Sequence, residues 1–307
     1  MKEFYDRTSD ERYKPDATTY ASVIDTFARN GRAFDAERIL KGIFEGYKQD
    51  CQQVKPDLRC FNAVLNAWAS ISQSNREAAK RAETILELMQ ETSKIQGYSE
   101  IKPDKYAYNT VLKAYSNSGL TSKSHSLLQT MISTTNQYDA VSFNTVIDAY
   151  SKKQRDSKDN IAKALGLYKQ MYQCDINPNV YTITSLLNVY ANSGEKDAAK
   201  SAQEFLHKVE EEGEIYPLST PTYNAVMNAW AKSRDYMAPQ YIEKIIKHME
   251  QLFQSGANVE AKPNTVSYSI LANAWARSRT NAFRAQEILG RFLFQDYTIS
   301  INDCFFR

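Results

Sequence analysis

Apolar and polar positions along this chain return in a fixed order. YASVIDTFARNG, FNAVLNAWAS, YNTVLKAYSNSG, FNTVIDAYSKK, ITSLLNVYANSG, YNAVMNAWAKS and YSILANAWARS each begin at a bulky anchor and reach an aromatic seven residues later, with aliphatic residues between. That spacing puts the apolar residues on one stripe of a helix, with polar residues around the rest. A second amphipathic stretch follows each phrase, as in AFDAERILKGIF (33–44), NREAAKRAETILELM (75–89) and EKDAAKSAQEFLHKV (195–209). Each phrase therefore predicts the first helix of a helical hairpin.

The anchors are Tyr20, Phe61, Tyr108, Phe143, Ile183, Tyr223 and Tyr268, at successive spacings of 41, 47, 35, 40, 40 and 45 residues. The shortest spacing predicts a 35-residue unit, and the longer ones add small insertions. Turns punctuate the units at Lys14-Pro15-Asp16, Lys55-Pro56-Asp57, Lys102-Pro103-Asp104, Asn177-Pro178-Asn179 and Lys262-Pro263-Asn264. Proline turns the residue before it away from helix, and Asp or Asn can cap the next one. Two boundaries deviate: Gln137-Tyr138-Asp139 has no proline, and Tyr216-Pro217-Leu218-Ser219 is followed by Pro221. A single short hairpin cannot bury its apolar face, so the units must stack. The expected fold is all-α, an α-solenoid of about seven hairpins over residues 14–297, with an extension at 1–13 and an atypical tail at 298–307.

A first helix reading aromatic-Asn-x-aliphatic-aliphatic, an Ala- and Leu-rich second helix and a closing Lys-Pro-Asp resemble the pentatricopeptide repeat family, over about residues 14–295. The Trp-x-x-Leu-Gly-x-x-Tyr pattern of tetratricopeptide repeats is not present. The resemblance implies a right-handed superhelix whose first helices line a groove for single-stranded RNA, with one base per repeat.

It also implies that bases are read by the residue after each anchor together with the residue four before the next anchor. The pairs are Ala21 with Asp57, Asn62 with Asp104, Asn109 with Asp139, Asn144 with Asn179, Thr184 with Ser219, and Asn224 with Asn264; Ser269 opens a seventh whose partner cannot be placed. An Asn amide carries a donor and an acceptor on one short arm, and an Asp can orient it. By resemblance, Asn with Asp favours U and Asn with Asn favours C or U, so units two to six would read 5′-U-U-(C/U)-N-(C/U)-3′. Ala21 departs from the family's usual choice, and Thr184 with Ser219 is ambiguous. One Asn near a helix start is more simply a cap or a solvated residue. Four at one register, Asn62, Asn109, Asn144 and Asn224, point to a ligand-facing row.

Two residues before the anchors stand Thr18, Arg59, Tyr106, Val141, Tyr181, Pro221 and Val266. The resemblance makes this the position that wedges between bases, where aromatic or guanidinium planes stack. Arg59, Tyr106 and Tyr181 fit best, while Val141 and Val266 could equally support a neighbouring helix. Nine residues after the anchors stand Arg29, Ser70, Asn117, Lys152, Asn192, Lys232 and Arg277. Arg29, Lys152, Lys232 and Arg277 suit phosphate contacts, although the helix dipole alone also favours cations there. Trp68, Trp230 and Trp275, with Tyr115 and Tyr150, share the aliphatic stripe and read as core.

Composition adds mostly exclusions. No apolar run approaches the length of a membrane span, and the start lacks a secretory signal. Early acids (Glu3, Asp6, Asp10, Glu11) are unlike a transit peptide, so no organelle signal is visible, though the family's habit implies a mitochondrion or plastid. The tail has no polar capping helix, as expected for a piece of a longer array. Cys51, Cys60, Cys174 and Cys304 form no CxxC pair and read as reduced thiols without a disulfide framework or zinc site. His125, His207 and His248 show no carboxylate or cysteine partner at a recurring spacing, and Glu210-Glu211-Glu212 reads as a solvated helix end. No nucleotide loop, metal site or cofactor is expected. The chain reads as a non-enzymatic binder of single-stranded RNA, without a membrane or small-molecule partner, acting with RNA-processing or translation proteins. The alternative is a peptide-binding scaffold, which the mild net charge of +2 permits.

Overall fold

The computed structural model describes residues 15–278 except 50–53, 76, 153–156, 196, 214 and 216. Thirteen α-helices and no strand occur among the described residues. In chain order they are α1 (Ala17–Arg29), α2 (Ala33–Gln49), α3 (Leu58–Ile71), α4 (Ala78–Thr92), α5 (Lys105–Asn117), α6 (Thr121–Thr130), α7 (Ala140–Lys152), α8 (Ser157–Gln173), α9 (Val180–Ser193), α10 (Ala198–Glu212), α11 (Thr220–Lys232), α12 (Ala238–Gln254) and α13 (Thr265–Arg277). The odd-numbered helices carry the seven phrases. The second helix of the seventh unit, the extension at 1–13, the tail at 298–307, and Cys51 and Cys304 lie outside the described residues.

The caps expected from sequence form in six places. Asp16, Asp57, Asp104, Asp139, Asn179 and Asn264 each accept the backbone N–H three residues on, at 2.7–3.1 Å. Each thereby satisfies one of the orphan donors of a helix start. Ser219 makes no such bond, and Pro221 lies within the first turn of α11. At the boundary without proline, α6 runs into a π-turn at Met131–Thr135, and Asn136 stops it in the left-handed conformation (φ 52). Between first and second helices the same left-handed turn is made by Gly31, Gly119 and Gly194, and in the sixth unit by Arg234 (φ 59).

The chain divides into two compact units, with the boundary in sequence between Ala149 and Tyr150. In the first, α3 packs on both α1 and α5, and α2 and α4 each lie against their own first helix and the next. In the second, α11 packs on both α9 and α13, with α10 and α12 placed likewise. Each unit is thus a stack of hairpins, the α-solenoid architecture. The anchors Phe61, Tyr108, Phe143, Ile183 and Tyr223 are buried, as are Trp68, Tyr115, Tyr150, Trp230 and Trp275. These aromatics are core, as expected. Trp68 Nε1 donates to Glu37 Oε2 (2.9 Å) and Trp230 Nε1 to Gln203 Oε1 (2.8 Å), each reaching the preceding second helix. Burial pushes the Tyr115 hydroxyl well up, reinforced by its bond to Glu83.

Two expectations about charged residues are corrected. Glu210 is not a solvated helix end: its Oε1 accepts from Tyr223 Oη at 2.8 Å and lies 3.1 Å from His248 Nε2. His248 therefore has a carboxylate partner, 38 residues away and invisible to local spacing. Glu211 and Glu212 are exposed.

Candidate nucleic-acid interface

The residue after each anchor lies one step inside the helix stripe, and the paired residue is the cap of the next odd-numbered helix. In the third unit the two meet directly: Asn109 Nδ2 donates to Asp139 Oδ1 at 3.1 Å. Asn109 Oδ1 accepts from Ser142 Oγ at 2.6 Å, and Ser142 Oγ in turn accepts the Asp139 N–H at 3.1 Å. The sixth unit repeats the motif, with Ser267 Oγ donating to Asn224 Oδ1 (2.7 Å) and lying 3.2 Å from Asn264 Oδ1. In the fifth, Thr222 Oγ1 sits 2.8 Å from Thr184 Oγ1 and 3.2 Å from Ser219 Oγ. One hydroxyl, three residues beyond the cap, therefore joins reader to cap in all three.

The first and second pairs differ. Asn62 Oδ1 is buried without a hydrogen-bond partner, and the bridging place holds Ala107, whose N–H goes to Asp104 at 2.8 Å. Ala21 has no polar side chain, and Asp57 bonds the N–H of Cys60. Cys60 is buried, which pushes its thiol up to about 12. Asn144 is buried in the first unit, and Asn179 caps α9 in the second. Ser269 is exposed and donates to the Thr265 carbonyl of its own helix.

The register two before the anchors is open to solvent throughout. Tyr106, Val141, Tyr181 and Val266 are 51%, 56%, 60% and 55% exposed, and Arg59 is exposed too. Val141 and Val266 thus leave their side chains largely free rather than buried in support of a neighbour.

The four expected phosphate-contact residues are all exposed but not equivalent. Arg29 is held by Asp25 of its own helix at 2.7 Å. Lys232 Nζ donates to Asn192 Oδ1 (2.6 Å), at the same register one unit earlier, and Asn192 Nδ2 donates to the Ser151 carbonyl. Arg277 lines a cleft of ≈ 620 Å³ together with Lys232, Arg234, Asp235 and Tyr236. Asp235 spends its carboxylate on the Met237 N–H. Neither Arg234 nor Arg277 has an acidic partner among the described residues. Sequence reasoning missed Arg234, which occupies the glycine register, and missed the bridging hydroxyls, whose signal is the spacing Asp/Asn/Ser-x-x-Ser/Thr at 139–142, 219–222 and 264–267. No cluster suited to a metal ion occurs among the described residues.

Sequence models of the pentatricopeptide repeat match residues 18–45, 106–133, 138–192 and 166–233. The chain belongs to the pentatricopeptide repeat family. A chloroplastic pentatricopeptide repeat-containing protein of Arabidopsis thaliana is 23% identical over 269 residues, 87% of this chain and 30% of that protein. The mitochondrial 15S rRNA processing factor CCM1 of Vanderwaltozyma polyspora is 31% identical over 101 residues, 32% of this chain and 11% of its own. The crystal structure of the pentatricopeptide repeat protein PPR10 in complex with an 18-nt psaJ RNA element matches with a TM-score of 0.64 at 21% identity, over 91% of this chain and 35% of that one. At that identity the likeness establishes the fold. This pentatricopeptide repeat chain spans about a third of the length of the curated relatives it matches.

Proposed function

We propose that this pentatricopeptide repeat chain binds single-stranded RNA without catalysing a reaction, one base per repeat, through a single array over residues 14–297. Asn62, Asn109, Asn144 and Asn224 read bases with their cap partners, and Arg59, Tyr106 and Tyr181 stack between them. Lys152, Lys232, Arg277 and Arg234 contact phosphate. The observation that carries the reading is the Asn109–Asp139–Ser142 network, because a half-buried helix residue held by a neighbouring cap is aimed, whereas a merely solvated Asn is not. The row of exposed side chains beside it supplies faces on which bases can stack. PPR10, crystallised with RNA, and CCM1, an rRNA processing factor, support the ligand class and a role in organellar RNA processing, stability or translation. Mitochondrion and plastid are both represented among the relatives.

The same exposed Tyr and Val row would also receive an extended peptide, which is the second reading. Fluorescence anisotropy with a short RNA carrying UUYNY, against one with both U positions made purine, separates the two. Tight binding that purines abolish, and that Asn62→Ala with Asn109→Ala weakens again, is the expected result. Equal binding of both RNAs would reject the code, and no binding of either at low salt would favour the peptide scaffold.

A further inference from the structure

We infer that the residue three positions beyond each cap sets which end of the reader amide faces a base, so that Ser142 makes the third repeat select U over C while Ala107 leaves the second repeat indifferent between them. The inference rests on the RNA-reading role proposed above and goes beyond it: both repeats carry the same Asn and Asp, yet they are assigned different selectivities.

The argument is one of donors and acceptors. A carboxylate can only accept, so Asp139 Oδ1 takes an N–H of Asn109 at 3.1 Å. Ser142 Oγ already accepts the Asp139 N–H, so its own proton is available to Asn109 Oδ1, at 2.6 Å against 3.3 Å to Asp139 Oδ1. Both ends of the Asn109 amide are thereby assigned. Turning the amide over would set its oxygen against the carboxylate and leave the serine proton with the poorer acceptor. The donor that remains for a ligand is the second N–H of Nδ2, while Oδ1 is held toward Ser142 with one lone pair already used. Uracil offers the O4 acceptor where cytosine carries the N4 donor, so an offered N–H attracts U and opposes C.

The second repeat lacks this assignment. Ala107 has no hydroxyl, Asp104 accepts the cap N–H as Asp139 does but no bond from Asn62, and Asn62 Oδ1 is buried with no hydrogen-bond partner. Nothing in the protein dictates which way the Asn62 amide faces. It can offer its nitrogen to U or its oxygen to the C amino group. The sixth repeat has the hydroxyl but no carboxylate: Ser267 Oγ can give its proton to Asn264 Oδ1 instead, 3.2 Å away, and accept from a reversed Asn224. Selectivity for U therefore needs the hydroxyl and the carboxylate together. Ser142 is a positioning residue, since it acts through Asn109 and touches no base.

The test is anisotropy titration of the full chain with the UUYNY RNA and with two single U→C versions, one at the base facing the second repeat and one at the base facing the third. In the unaltered protein, U→C at the third repeat should weaken binding roughly tenfold and U→C at the second by less than about threefold. Ser142→Ala keeps the backbone cap bond to Asp139 and should collapse the third-repeat ratio to that of the second; Ser142→Thr should retain it. Ala107→Ser should raise the second-repeat ratio, a gain that damage to the fold would not produce. RNA binding with both ratios unchanged in Ser142→Ala and Ala107→Ser would overturn the inference and leave the RNA-binding reading standing. Failure of the unaltered protein to bind any of the three RNAs at low salt would overturn that reading and this inference with it.

Discussion

Single residues in this chain serve the fold and the candidate interface at once. Asp139 caps α7 through the Ser142 N–H and also holds Asn109, so one carboxylate both starts a helix and aims a side chain. Arg234 is the opposite case, where the two demands conflict. It takes the left-handed turn that Gly31, Gly119 and Gly194 take in other repeats, and an L-residue there costs about 1–2 kcal/mol. Its guanidinium, facing the cleft it shares with Arg277 and Tyr236, has no acidic partner among the described residues. Arg234→Gly should therefore raise the melting temperature slightly, by about 1–2 °C once the extra freedom of glycine in the unfolded chain is subtracted. It should weaken RNA binding a few-fold in the same preparation. A gain in stability with unchanged affinity would mean that Arg234 makes no phosphate contact.

Between elements, polar contacts link helices that the apolar stripe alone would only pack. Glu210 on α10 gathers Tyr223 of α11 and His248 of α12, with His207 Nδ1 at 3.8 Å. Burial pushes the Glu210 carboxyl up, but the bonds from His248 and Tyr223 outweigh it and hold it below its usual range. The bond to Glu210 raises the His248 imidazole against a smaller opposing effect of burial. A raised histidine stabilises fully below its unfolded value and loses that contribution as pH rises through the folded one. A lowered carboxylate stabilises above its unfolded value and loses that contribution as pH falls through the folded one. Both contributions are present between the ordinary values of 4.5 and 6.5. His248→Gln should lower the melting temperature most in that window, with the gap narrowing toward alkaline pH. His248 is nearly half exposed, so the loss should stay within about 1 kcal/mol, or roughly 2–4 °C. Differential scanning fluorimetry across pH checks it, and a gap that widens above neutrality would contradict this pairing.

For the molecule as a whole, a net charge of +2 over 307 residues leaves little non-specific attraction for a polyanion. Binding that depended on a general basic field would fall steeply with salt, whereas one set by stacking and amide contacts would not. The proposed phosphate contacts number four: Lys152, Lys232, Arg234 and Arg277. With about 0.7 counterions released per phosphate on single strands, log K against log salt should slope no more steeply than about −3. Arg277→Ala should flatten it by somewhat under one, and Arg29→Ala should leave it unchanged because Asp25 already neutralises that side chain. An anisotropy series over salt for the three proteins gives the three slopes. A much steeper wild-type slope would move the weight of binding from the reader row to charges elsewhere.

Local sequence was sufficient wherever the physics is local. Helical hairpins follow from apolar spacing, the caps from Asp or Asn after Pro, and the repeat from seven returns of one phrase. The burial of Trp68 and Trp230 was legible on those grounds, whereas the reader role of the Asn register and the stacking role of Tyr106 and Tyr181 came from the family resemblance alone and are part of the proposal. The hydroxyl bridges were missed, although the Asp/Asn/Ser-x-x-Ser/Thr spacing at 139–142, 219–222 and 264–267 marks them. Tertiary structure decided what depends on partners about 30 to 45 residues away. It brought Ser142 to Asn109 and left Asn62 without an equivalent, tied Lys232 to Asn192, and turned Glu210 from a solvated end into the hub of three helices. Periodicity fixes which face of a helix is buried, because that depends on neighbours three or four residues along. Which polar group meets which depends on how one hairpin sits against the next, and only the packed stack sets that.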